Sequence, residues 1–178
     1  MLVEDERERT TEQLGSTKTG GNYAASLLPI ARAQADGYDN IIWLDACERK
    51  YVEEVGTSNI FFFIDDKLIT PPLSGSILGG ITRNSVIKLA QSWDIEAEER
   101  PVAIDEVIEA SKNGSLQESF ATGTAAVISP VGELMYGDRS YPINNGETGP
   151  LSIRLYEELQ AIQYGHREDQ YGWRVKVG

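Results

Sequence analysis

Cysteine, histidine and cationic side chains are all scarce in this chain of 178 residues. The single cysteine, Cys47, excludes an intrachain disulfide and any cluster of cysteine ligands around a metal. The single histidine, His166, excludes a multi-histidine metal site, and it lies in a polar tail away from every other chemical signal. Any acid–base chemistry must therefore fall to Lys, Tyr or carboxylates. Lys and Arg number 16 against 28 Asp and Glu, a net charge of −12. Such an excess repels phosphate backbones and anionic lipid, so nucleic acid and membrane surfaces are disfavoured as partners. The longest unbroken apolar run is Ile60 to Ile64, far short of the roughly 20 residues of a membrane span. The opening MLVEDERERTTEQLG is charged and has no apolar stretch that could act as a secretory signal. The expectation is a reducing, cytoplasmic setting. Cys47, in LDACERKYVEE where a strand meets a turn, reads as an unreactive small residue.

Hydrophobic residues make up 40% of the chain and charged residues 25%, enough to fill the core of one domain of ordinary size. Residues 1–15 are charged and aperiodic and read as a loose lead-in or a frayed first strand. Periodicity predicts a helix over 21–38, with Ala24, Leu27, Leu28, Ala31 and Ala35 on its buried face and Gly37 as its stop. A short apolar strand follows at 40–46. Residues 51–73 read as strands broken at Gly56-Thr57-Ser58 and at Asp65-Asp66, the second break a hairpin. Helices are predicted over 81–94 and 103–114, the latter stopped by Asn113-Gly114. Residues 95–102 are strand-like, and 119–137 read as strand, turn and strand. A last helix spans 152–165, with Ile153, Leu155, Tyr156, Leu159 and Ile162 as its apolar positions. Consecutive strands joined by hairpins, mixed with helices, favour an α/β (mixed α+β) domain over a doubly wound parallel sheet.

Four local features could carry chemistry. Lys18 lies in GSTKTGGNY, where glycines let backbone approach a ligand closely and where a desolvated amine can act as a nucleophile. The alternative is a surface lysine in a glycine loop. Glu54, in EEVGTSN, ends a strand before a tight turn and could partner a cationic ring nitrogen. Alternation sends Glu53 and Glu54 to opposite faces, so at most one points inward, and both could equally be a solvated acidic pair. SILGGITRNS places glycines directly before a helix start, whose free N–H groups and dipole suit a phosphate. It matches neither G-x-G-x-x-G nor a Walker A motif. In ATGTAA, Thr122, Gly123 and Thr124 put a hydroxyl and clustered N–H groups in a turn that suits an anion. The bland readings of these two are an ordinary helix entry and a plain turn. Together the four supply an amine, a carboxylate and two anion cups, the set that pyridoxal phosphate chemistry requires.

Those same residues carry a resemblance. KTGGNYAASLL, YVEEVGTSNIFFF, LITPPLSGSILGGITRNSV, FATGTAAVISPV and LQAIQYG resemble, in order, the branched-chain amino acid aminotransferases of the fold-type IV pyridoxal phosphate class. The resemblance implies an α/β pseudo-barrel of mixed strands with surrounding helices, pyridoxal 5'-phosphate as cofactor and a homodimer. It implies transfer of an amino group between a branched-chain L-amino acid and 2-oxoglutarate. By matching position, Lys18 is the catalytic lysine that condenses with the cofactor and moves the proton. Glu54 binds the ring nitrogen, Tyr23 lies by the phenolic oxygen, and Leu78 packs on the ring face. Ile81 and Thr82 hold the phosphate through N–H groups. Thr124 and Ala125 meet phosphate and substrate carboxylate, and Thr57 lines the substrate site.

Members of the family carry a further N-terminal small domain, with an arginine for the cofactor phosphate and one wall of the substrate pocket. The expectation is thus a lead-in over 1–15 and a cofactor-binding large domain over 16–178. Such a domain alone should bind cofactor weakly and transaminate slowly or not at all, and the uncovered apolar surface should favour self-association. A D-amino-acid aminotransferase, an aminodeoxychorismate lyase and a non-catalytic remnant are the alternative readings.

Overall fold

A computed structural model of the chain describes residues 1–4 and 14–177. Its strands are β1 (Leu2–Glu4), β2 (Ile41–Leu44), β3 (Val52–Val55), β4 (Asn59–Ile64), β5 (Lys67–Thr70), β6 (Ala97–Glu99), β7 (Leu116–Gly123), β8 (Val127–Pro130), β9 (Glu133–Tyr136) and β10 (Arg139–Pro142). Its helices are α1 (Gly20–Ala35), α2 (Ile81–Ser92), α3 (Ile104–Asn113) and α4 (Pro150–Gln163). The strands form two mixed sheets, in the orders β10-β9-β1-β2-β3 and β6-β5-β4-β7-β8. The architecture is mixed α/β, as the sequence pattern predicts. Among the described residues no helix is long and apolar enough to cross a membrane.

β4 reads NIFFFI, almost wholly apolar, because both of its faces are covered. Ile60 and Phe62 face the first sheet and pack with Ile42, Val55 and Val107 of β2, β3 and α3. Phe61 faces the other way and stacks on Phe120 of β7, ring centroids 5.3 Å apart, beneath α2 and α4. Period-two alternation therefore assigns odd positions of β4 to the helix-covered face and even positions to the inter-sheet core. On β7 the helix-covered face carries Glu118, Phe120 and Thr122, opposite Phe63, Phe61 and Asn59 in the ladder. That face contributes Asn59 and Thr122 to a cleft.

Several sequence expectations are corrected. Of the loose lead-in and the first strand expected at the start, residues 2–4 are the strand: β1 pairs in parallel with β2 and β9 inside the first sheet, and Val3 is buried. The rest of that stretch, residues 5–13, lies outside the described residues. The apolar stripe expected to be buried on α1 faces outward instead, with Leu27 67% and Leu28 58% exposed. The helix instead buries Asn22, Ser26, Pro29 and Ala33, and Ala33 packs with Ile41 and Trp43 of β2. On α4 the buried stripe is Leu151, Leu155, Leu159 and Ile162, while Ile153 and Tyr156 point outward. Residues 127–137 form two strands, not one, because the turn at Val131-Gly132 moves the chain from the second sheet to the first.

β3, which carries Glu54, is fixed at both ends. Trp43 Nε1 donates to the Gly56 carbonyl at 2.9 Å, closing the turn after β3. Before it, the Asp45 carboxylate accepts from the N–H groups of Glu48, Lys50 and Tyr51 at 2.7, 2.9 and 2.7 Å. Partial burial pushes the Asp45 carboxyl up, but those N–H groups together outweigh it and hold it below the usual carboxylate value.

Candidate active site

A cleft of about 510 Å³ opens where α1 and α2 begin, and it is lined by Lys18, Tyr23, Glu54, Thr57, Leu78, Ile81, Thr82, Thr124 and Ala125. All nine residues singled out from the sequence thus meet at one place. Lys18 comes from the loop before α1, and Tyr23 from the first turn of that helix. Glu54 ends β3, and Thr57 sits in the following turn. Leu78 precedes α2, whose first turn supplies Ile81 and Thr82. Thr124 and Ala125 form the turn between β7 and β8.

The segment 74–80 is the hub that holds these parts in register. Ser16 N–H donates to the Gly75 carbonyl at 3.0 Å, and Gly15 lies so close on the Ser76 backbone that a Cβ there would overlap it. The loop bearing Lys18 is therefore laid directly on the hub. Glu54, 3% exposed, accepts from Leu78 N–H at 3.0 Å through Oε1. Asn59 Nδ2 donates to the Leu78 carbonyl at 2.8 Å. Glu53 grips the other side of the hub, its carboxylate accepting from the Ser76 hydroxyl. The two adjacent glutamates are thus not a solvated pair: one is buried in the cleft wall and the other anchors the loop from outside.

The cup at α2 is left open by the fold. Its N-cap is Gly80, no side chain caps it, and its first turn holds no acidic residue. The leading N–H groups of a helix have no partner inside it and carry partial positive charge. A Cβ at position 80 would overlap Asn59 Oδ1, so glycine is required where the helix meets the sheet. α4 starts on the same sheet face and shows the contrast. There Glu118 accepts from Leu151 N–H and Ser152 N–H at 2.7 and 2.9 Å, neutralising that helix start from within.

Sequence reasoning does not single out Ser58 and Asn59 as lining residues, and it misses Arg83 altogether. Arg83 is buried in the first turn of α2, where its guanidinium donates to the Pro71 carbonyl at 2.8 Å and pairs with Glu99 at 2.7 Å. It ties the cup to the end of β5 and to β6. The sequence signal is a charged residue three positions after Gly80 in the first turn of a helix, which apolar periodicity alone does not weigh. Cys47 and His166 are both exposed and neither lines the cleft.

Comparison with known proteins shows the family and the fold. Residues 2–134 match the family described as Amino-transferase class IV. The chain is 53% identical over 178 residues to branched-chain-amino-acid aminotransferase 2 of Bacillus subtilis, covering 99% of this chain and 49% of the relative. It is 54% identical to a probable branched-chain-amino-acid aminotransferase of Staphylococcus aureus, covering 50% of that protein. Among solved structures it superposes on the branched-chain amino acid aminotransferase of Escherichia coli with a TM-score of 0.82 at 33% identity, covering 97% of this chain and 55% of that one. The branched-chain amino acid aminotransferase of Thermobaculum terrenum, in its PLP-form, gives a TM-score of 0.79 at 31% identity, over 93% of this chain and 51% of that one. The chain spans about half the length of the curated relatives it matches.

Proposed function

Since the chain belongs to the class IV aminotransferase family, we propose that its cleft holds pyridoxal 5'-phosphate and serves transamination between a branched-chain L-amino acid and 2-oxoglutarate. The observation that carries this reading is the convergence of Lys18, buried Glu54 and the uncapped start of α2 on one cleft. The relatives named as branched-chain aminotransferases support the substrate class.

The residues present fit the cofactor's three demands. The bare N–H groups of Ile81 and Thr82 would take its phosphate. The Glu54 carboxylate, held by Leu78 N–H, would take the protonated ring nitrogen, and Tyr23 would lie by the phenolic oxygen. Lys18 would supply the amine that condenses with the aldehyde. When bound, the cofactor supplies a cationic conjugated ring that stabilises negative charge at the substrate's Cα. The chain's own part is placement and proton movement. Lys18 Nζ would take the proton from the substrate's Cα as general base and, as general acid, deliver it to the cofactor's aldehyde-derived carbon C4′. Glu54 keeps a proton on the ring nitrogen because a buried carboxylate favours a cationic neighbour. Leu78 would cover the ring face, Thr57 would line the substrate side, and Thr124 with Ala125 would offer N–H and hydroxyl groups to the phosphate and the substrate carboxylate.

The setting proposed is cytoplasmic, and the assembly a homodimer. Leu14, Leu27, Leu28, Leu73 and Ile81 are all exposed, and Ile81 also lines the cleft; apolar side chains left open in this number support a face that another polypeptide covers. Sedimentation of the chain should show concentration-dependent association.

Adding pyridoxal phosphate in excess of its weak affinity should raise a visible absorbance band of the protein-bound cofactor, and leucine, isoleucine or valine should bleach it, slowly for a domain alone but faster than aspartate or D-alanine does. No band, or equal response to every amino acid, would sink the proposal. Glu54→Gln separates chemistry from scaffold. Its amide oxygen still accepts from Leu78 N–H, so thermal stability should stay near wild type. The charge-assisted contact to the ring nitrogen is lost, about 1.5–3 kcal/mol, so cofactor affinity and turnover should fall by about ten- to a hundredfold.

A further inference from the structure

Thr122 sits on β7, paired across the ladder with Asn59 and on the same sheet face. It is 2% exposed, lines the cleft, and its Oγ1 has no hydrogen-bond partner. A buried hydroxyl without a partner is costly, and native folds rarely tolerate one without a reason. Its neighbour Asn59 spends Nδ2 on the Leu78 carbonyl at 2.8 Å, and its Oδ1 lies against Gly80 at the start of α2. Thr122 is therefore on the floor of the cleft beside the uncapped helix start.

The rest of this sheet face sharpens the point. Two residues along β7, Phe120 stacks on Phe61, and two further, Glu118 satisfies both leading amides of α4 and the Ser152 hydroxyl. The same strand thus closes one helix start and leaves a bare hydroxyl at the other. Two independent features, an uncapped helix of 12 residues and an unpartnered buried hydroxyl, point into one cleft.

We infer that Thr122 is an anion-binding residue: its hydroxyl donates to the phosphate group of a phosphate monoester seated on the first turn of α2. The inference rests on the cofactor reading above and adds to it a residue that the family resemblance does not single out. It also states what the fold gives up, since Thr122 is left unsatisfied until the ligand arrives. Binding strength and stability without ligand then move in opposite directions when the hydroxyl is removed.

The test uses the 178-residue chain and two variants, Thr122→Val, which keeps the shape without the hydroxyl, and Thr122→Ser, which keeps the hydroxyl. Without ligand, Thr122→Val should melt at or above the wild-type temperature, because an unsatisfied polar group is gone. Inorganic phosphate should raise the melting temperature of wild type and Thr122→Ser, and raise that of Thr122→Val less. Pyridoxal phosphate, followed by fluorescence quenching, should bind Thr122→Val about tenfold more weakly and Thr122→Ser near normally. Three results would overturn the assignment: Thr122→Val melting below wild type with Thr122→Ser restoring it, no phosphate response in wild type, or equal pyridoxal phosphate affinity in all three proteins. The last of these with a normal Lys18-dependent absorbance band would remove Thr122 and leave the cofactor reading standing. A Thr122-dependent phosphate response with no such band would do the reverse.

Discussion

Replacing Lys18 by alanine is expected to abolish covalent capture of pyridoxal phosphate and to reduce transamination more than any other single change in the cleft. General acid–base catalysis by one positioned side chain is worth about 10²–10⁴-fold, and Lys18 is proposed to supply the condensing amine as well. The structure explains why another lysine should not substitute. Lys67 is engaged by Glu96 and Glu98 at 3.1 and 2.9 Å, and Lys112 by Glu109 at 2.6 Å. Lys50 lies over the Tyr51 ring, 5.2 Å from its centroid. None of these, nor Lys88 or Lys176, lines the cleft, whereas Lys18 sits on a loop fastened to the same hub that holds Glu54. Borohydride reduction of the wild-type chain with cofactor, followed by peptide mass spectrometry, should place the adduct on the peptide containing Lys18. In Lys18→Ala that adduct should vanish, while non-covalent binding through α2 persists at reduced affinity. Labelling spread evenly over several lysines in the wild type would remove Lys18 from its proposed role.

The parts of this site that are legible in the sequence are those with local signatures. A lysine between glycines, a glutamate before a tight turn and a Gly-Gly pair before a helix each announce themselves within about ten residues, and the fold brings them to one cleft. What cannot be read depends on distant contacts. Glu53 and Glu54 are chemically identical neighbours, and only the positions of Ser76 and Leu78 decide which is buried. Leu27 and Leu28 form the most apolar stripe of α1, yet the helix buries the smaller Ser26 and Ala33. Periodicity finds such a stripe without saying whether the chain itself covers it. β1 reads from the sequence only as one of two alternatives, a lead-in or a first strand, for a related reason. Its three residues are too few to show a period, and its place inside the sheet follows from pairing with residues about 40 and 130 positions away.

The largest loss of stability is expected from Glu118, a residue outside the cleft. It lies 4% exposed on β7 and caps a helix that begins more than thirty positions later. Gly149 offers α4 no capping side chain, and Pro150 at the first helical position has no N–H to satisfy. The two carboxylate oxygens divide the remaining work, Oε1 taking Leu151 N–H and Oε2 taking Ser152 N–H and its hydroxyl at 2.7 Å. Gly149 must be glycine here, because a Cβ would overlap the carboxylate. Glu118→Ala leaves two buried amides without acceptors and a gap where the side chain was. The expected cost is about 2–5 kcal/mol, or about 5–15 °C in melting temperature for a chain of this size. Glu118→Gln decides between filling and bonding. It has nearly the same shape, but its NH2 group must face one of the donors, so it should recover little of the loss if the two acceptor oxygens are what matter. Chemical denaturation of the three proteins measures this directly. A glutamine variant as stable as wild type would show that packing, not the carboxylate, holds α4 to the sheet.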